Sequence, residues 1–160
     1  STDSCYLIQL IPDEKRTYKK YSFVKDLNGK FIVTYDQSPF DPHTGADYAW
    51  VYFALKTDEW YPDGDICITG SFSGWSNNSS NRMAYNPETN LYEARILLKQ
   101  GFYNYLYTYQ PKGYLGLSDI KIEGSHSETE NDYLIMVYYH ERGPRYDRLI
   151  GVKQMNTLVK

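Results

Sequence analysis

The chain has only two cysteines in 160 residues, too few for the disulfide framework that small secreted domains use in place of a core. Cys67 stands between Ile66 and Ile68 in a run that reads as a core strand, so the simpler reading is a buried thiol. A bond to Cys5 requires the N-terminal segment to fold back beside that strand. An excess of charge is missing too. Seventeen Lys and Arg against twenty Asp and Glu leave a net charge of −3, whereas binding phosphate backbones takes a concentrated basic surface. Nucleic acid is therefore not an expected partner. The one basic stretch, EKRTYKKY from Glu14 to Tyr21, is short and carries its own acid, as a solvated face does. No apolar run reaches membrane-spanning length, and no membrane insertion is expected. Neither a signal peptide nor an initiator methionine is visible, and the start at Ser1 suggests a piece of something longer.

Chemistry is scarce as well. No serine or cysteine sits in a nucleophile elbow, and no glycine loop has the phosphate-cradling form. His126 lies among Glu123, Glu128 and Glu130 in EGSHSETEND. Residues two apart reach a common ion only from an extended or looped backbone, and metal sites draw ligands from several segments; turn chemistry explains the composition more simply. His43 and His140 have no partners nearby in sequence and read as surface residues. The expectation is a non-enzyme with no catalytic residue, no cofactor and no metal.

What the chain does have is tyrosine, 18 of them, a residue suited to half-buried sheet faces where the ring packs and the hydroxyl stays wet. Apolar positions recur with period two in β-branched and aromatic runs. This predicts strands at 6–10, 21–25, 30–35, 48–55, 65–69, 91–98, 103–109, 133–140 and 148–153. Asn28-Gly29 is the strongest hairpin signal, because a type I′ turn needs positive φ at both central residues. The break at Asp41-Pro-His-Thr-Gly45 divides an N-terminal segment, 1–46, with a hairpin near 21–35, from a sandwich over 47–160. The fold class expected is all-β, an immunoglobulin-like β-sandwich with that hairpin segment in front. Both faces of 48–55 are apolar, which predicts a strand covered on both sides with Trp50 in the core. Tyr103, Tyr105, Tyr107 and Tyr109 share one face as a stripe about 20 Å long, either wet or buried.

The aromatic loops are the binding candidates. A sugar ring stacks its C–H face on an exposed indole while polar neighbours take the hydroxyls, and Trp75 is flanked by Ser73, Ser76, Asn77 and Asn78. The alternative is that Trp75 packs the sandwich edge. Trp60, in the polar turn DEWYPDGD, is either exposed or a loop anchor. The stretch GSFSGW (70–75), followed by GFYNYLYTY (101–109), resembles the early-set immunoglobulin-like modules that bind starch and glycogen. That resemblance implies Trp75 as a first platform. It departs where the G-x-Y-x-Y strand usually carries a basic residue, here Asn104 or Leu106, and offers only Tyr114 for the second platform tryptophan.

A second resemblance covers residues 21–153. VKDLNGKFIV (24–33), ADYAWVYFAL (46–55), the run from Gly70 to Tyr107, and IEGSHSETENDYLIMVYYHERGPRYDRLIGV (122–152) look like the C-terminal region of the type IX secretion plug proteins of Bacteroidota, formerly a domain of unknown function. The resemblance implies a non-catalytic, protein-binding region of a periplasmic protein. Its partner would be the outer-membrane translocon protein, whose channel such plugs close. A carbohydrate-binding module for α-glucan is the alternative.

Overall fold

The computed structural model describes residues 6–20, 27–34, 45–126, 129–143 and 145–157. Among them the elements are eleven strands and one short 3-10 turn, Ser71–Ser73. They form an all-β fold of mixed sheets resembling the β-sandwich that the sequence predicts, divided into two compact units.

In the first unit the central strand is β4, Tyr48–Lys56. Its alternation turns Ala49, Val51, Phe53 and Leu55 inward, since successive side chains in a strand point to opposite faces. One edge of β4 pairs antiparallel with β7, Leu91–Lys99, in an unbroken register from Tyr48↔Lys99 to Lys56↔Leu91. The other edge takes β1, Tyr6–Gln9, and the two-residue β2, Asp13–Glu14, both parallel to it. A short strand, β6 (Ala84–Asn86), adds to the far side of β7.

The facing layer is made of two strand pairs. β5, Gly64–Gly70, pairs with β9, Tyr105–Pro111, and β3, Phe31–Val33, pairs with β8, Gly101–Tyr103. Between the layers lie Val51, Phe53 and Leu55 of β4, Tyr92, Ile96 and Leu98 of β7, Ile66 and Ile68 of β5, and Tyr107 and Tyr109 of β9. Leu55, Ile66 and Ile68 are wholly enclosed; truncating such a side chain to alanine costs about 2–5 kcal/mol. Cys67 is a free buried thiol, while Cys5, His43, Glu128 and residues 21–26 lie outside the described residues.

Strand pairing runs across the boundary expected near residue 46. β1 and β2 dock on β4, and β3 docks on β8, so the N-terminal stretch contributes strands to the sandwich. Asn28 and Gly29 have φ of 51° and 73°, the double positive φ of the expected turn, closed by a Lys30 N–H donating to the Leu27 carbonyl at 3.1 Å.

The second unit contains β10, Asp132–His140, and β11, Asp147–Asn156, which the sequence reading placed inside the sandwich. They pair with each other as one antiparallel hairpin with a bulge at Val137/Tyr138. At its open end Asn156 Nδ2 donates to Glu130 Oε1 at 2.7 Å and to Asp132 Oδ1 at 2.9 Å. At its turn, exposed His140 meets Asp147 at 2.7 Å.

Candidate functional site

Trp75 ends the loop that follows β5. The chain leaves the strand at Gly70, where a side chain would strike the Asn104 carbonyl and the Phe72 ring, and turns through Ser71–Ser73. Gly74 and Trp75 then both take left-handed backbone, φ 61° and 55°, and the Trp75 N–H donates to the Gly70 carbonyl at 3.0 Å. This double left-handed step aims the indole at the Asn28-Gly29 turn. A Cβ at Gly29 would stand 2.8 Å from Trp75 Cζ2. The ring is therefore packed on one side and open on the other, 45% exposed.

The other candidates are mostly committed to structure. Asn104, between β8 and β9, accepts from the Leu27 N–H at 2.7 Å and donates its own N–H to the Lys30 carbonyl; it latches the same turn that Trp75 covers. Asn77 donates through Nδ2 to Gln110 Oε1, its own Oδ1 buried with no partner among the described residues. Gln110 in turn donates to the Tyr114 carbonyl at 2.9 Å, and the Tyr114 ring is left exposed. Trp60 is exposed and inclined against Tyr85, centroids 6.3 Å apart. Trp75 and Asn104 thus meet at one turn, Asn77 and Tyr114 are joined through Gln110, and Trp60 stands apart with Tyr85.

The tyrosine stripe points into the core. Tyr107 and Tyr109 are buried, and Tyr103 and Tyr105 pack against the core from half-buried positions. Three of its four hydroxyls find partners: Tyr105 donates to Asp13 Oδ2 at 2.9 Å and Tyr107 to the same oxygen at 2.7 Å, while Tyr103 donates to the Lys99 carbonyl; the buried Tyr109 hydroxyl has no hydrogen-bond partner among the described residues. Burial first, and the Asp13 carboxylate second, hold the Tyr105 phenol far above its ordinary value; Tyr107 is raised further by burial and the hydrogen bond to Asp13. One carboxylate on β2 therefore fixes two buried phenols. Near it, Glu123 Oε1 accepts the Tyr107 N–H at 2.8 Å, and burial raises its carboxyl. Of the acids flanking His126, Glu123 and Glu130 are thus engaged in hydrogen bonds that shape the backbone ends. Among the described residues no cluster of three or more such side chains is placed to hold a metal ion.

Two exposed surfaces were not anticipated. Trp50 is half-buried on the outward face of β4, not in the core, because among the described residues of its unit β4 is covered on one side only. Period-two patterning cannot separate an aromatic that faces solvent under a cation from one that faces the core. Here Arg95 lies over the Trp50 ring at 4.9 Å and Lys99 over Tyr48 at 5.1 Å, with Tyr52 and Leu97 partly open beside them. The hairpin is the other surface. Tyr133, Ile135, Val137 and Tyr139 on one face of β10, and Leu134, Met136 and Tyr138 on the opposite face, are all about half exposed, as are Leu149, Ile150, Val152 and Met155 of β11.

No protein-family model and no curated protein matches the chain. Among solved structures it is similar to the crystal structure of a hypothetical protein from Parabacteroides merdae ATCC 43184, with 39% identity over 95% of this chain and a TM-score of 0.80. The chain spans 38% of that protein's length. The likeness is to a Bacteroidota protein that shares the all-β fold.

Proposed function

We propose that this chain is a non-catalytic protein-binding module of a periplasmic type IX secretion plug, contacting the outer-membrane translocon protein whose channel the plug closes. The observation that supports this reading best is the β10–β11 hairpin, apolar and exposed on both faces. Apolar surface on this scale marks a place where another protein packs. Tyrosine and methionine, which interfaces favour, recur along it. The row of Tyr48, Trp50 and Tyr52 under Arg95 and Lys99 adds a second surface of interface character.

The test is binding of the purified translocon protein to the immobilised chain. Wild type binds; Ile135→Lys and Met136→Lys, one on each face of the hairpin, lower the affinity about ten-fold or more, with far-UV circular dichroism unchanged. Equal binding by wild type and both variants, or no binding by any, refutes the reading.

The alternative, an α-glucan-binding module, draws on the open side of Trp75 beside Ser73 and Ser76. Asn104 is spent on the 27–30 turn, however, and the tyrosine stripe is buried, so few polar groups are left to meet sugar hydroxyls. Retardation of the wild type on glycogen during affinity electrophoresis, lost in Trp75→Ala, would reverse the choice.

A further inference from the structure

β7 is covered unevenly on the side away from β4. Leu91, Tyr92 and Glu93 pair with Asn86, Tyr85 and Ala84 of β6. From Ala94 to Leu98 that edge has no strand partner among the described residues. In an antiparallel ladder every second residue directs its N–H and C=O away from the partner, so this stretch offers backbone donors and acceptors outward, as an edge strand does. A groove of about 460 Å³ runs along it.

The far wall of the groove is the loop from Asn78 to Arg82 together with Ser73. That wall is preformed. The buried Asn81 side chain donates to the Ile68 and Ser76 carbonyls at 3.0 and 2.7 Å and accepts the Asn78 N–H at 2.8 Å. Charge in the groove is of one sign: Arg82 and Arg95 line it, and no carboxylate does among the described residues. Arg82 has an ion pair with Asp65 at 3.4 Å, whereas Arg95 lies over the Trp50 ring. The chain as a whole is acidic, which makes this local excess of cation selective. Inward-facing Ile96 and Leu98, with Phe72, supply an apolar floor.

We propose that the open edge of β7, Ala94–Leu98, takes up one extended peptide segment of a partner protein by strand addition, its side chains alternating between apolar and acidic. Backbone hydrogen bonds to β7 supply affinity and the alternate side chains supply choice, as in other strand-addition sites. The segment's apolar residues lie over Ile96 and Leu98 and its carboxylates meet Arg95. A neutral or basic segment leaves Arg95 without a partner or repels it. This contact goes beyond the hairpin reading and does not depend on which protein the hairpin meets.

The test uses the full 160-residue chain with an acetylated octapeptide of alternating valine and glutamate, read by amide hydrogen exchange and by titration. Saturating peptide is expected to slow exchange at alternate amides between Ala94 and Leu98. Arg95→Glu should weaken the valine–glutamate peptide about ten-fold and favour a valine–lysine analogue, and a central proline in the peptide should abolish protection. Unchanged exchange at 94–98 overturns the proposal, as does equal affinity in wild type and Arg95→Glu. Protection of the same amides without peptide, rising with protein concentration, overturns it in favour of edge-to-edge pairing of two copies. Ile135→Lys should leave peptide binding intact, so loss of translocon binding and loss of strand addition are read separately.

Discussion

The packing of Trp75 on the Asn28-Gly29 turn can be weighed with a double-mutant cycle. Gly29→Ala forces a side chain into φ +73°, which costs about 1–2 kcal/mol. It also sets a methyl 2.8 Å from Trp75 Cζ2, and overpacking of that kind adds about 1 kcal/mol. Trp75→Ala has a different cost. A fully covered tryptophan buries up to about 250 Å², and Trp75 is 45% exposed, so roughly 140 Å² is lost. At about 25 cal/mol per Å² this is near 3 kcal/mol, reduced to about 2 kcal/mol because the unfolded chain already covers some of it. In the Trp75→Ala background the methyl meets open space and only the backbone strain of Gly29→Ala survives. The double variant should therefore be more stable than the sum of the single costs by about 1 kcal/mol. Trp75 itself has φ +55°, so Trp75→Gly should fall short of wild type by less than Trp75→Ala does, against the usual order of glycine and alanine. Urea unfolding followed by circular dichroism measures all four states. An equal cost of Gly29→Ala in both backgrounds would refute the contact.

Asp13→Ala leaves two phenols, Tyr105 and Tyr107, without their shared acceptor and should destabilise the chain by about 3 kcal/mol; urea midpoints unmoved from wild type would show that the triad is not formed. Glu123 is held above its ordinary value by burial, so the folded state binds its proton more tightly than the unfolded chain does. Its contribution to stability is then greatest at acid pH, below the unfolded value, and is lost as pH rises through the folded one. Glu123→Gln should consequently gain on wild type at neutral pH and lose that advantage below pH about 4; a gap that widens on acidification would contradict this. Burial pushes the Cys67 thiol up to about 11. In a Cys5→Ser background Cys67 should stay unreactive to an aromatic disulfide at pH 8 until the chain is unfolded, and prompt reaction of the folded protein would show the thiol to be open.

The fold was legible because its strongest signals are local. Alternation in 48–55, 65–69 and 91–98 and the asparagine–glycine turn each depend on a few neighbouring residues, and each predicts an element that forms. The partners of those strands were not legible. Nothing in Tyr6–Gln9 says that it will lie parallel to β4, and nothing in 133–153 says that those strands will pair with each other. β2 and β6, of two and three residues, are too short for any period to show. The site was harder still. Trp75 and Trp60 stand out as aromatics in polar loops, and both are partly open. Asn104 stands out by its position in a resembling motif and Asn77 as a polar neighbour of Trp75, yet their side chains serve turns and strand ends. Tyrosine hides its own role: in β9 it fills a core, two of its hydroxyls bonded to Asp13, and in β4 the same residue type faces water. An Asp three residues beyond an apolar run is the one sequence hint of that buried triad, and it is common enough to pass unnoticed.

The parallel docking of β1 and β2 on β4 has a kinetic consequence. β1 meets Ala49 to Tyr52, and β3 meets Gly101 to Tyr103, so the strands nearest the N-terminus wait for partners far along the chain. Non-local pairings of this kind slow folding, because a long loop must close before any contact repays it. The β10–β11 hairpin needs only one short turn, and hairpins close in about 1–10 μs. The β10–β11 strands can therefore pair first, while β1 and β3, which are apolar, remain exposed longest. Under fast synthesis or refolding at high concentration, these N-terminal strands are where mispairing between chains should begin.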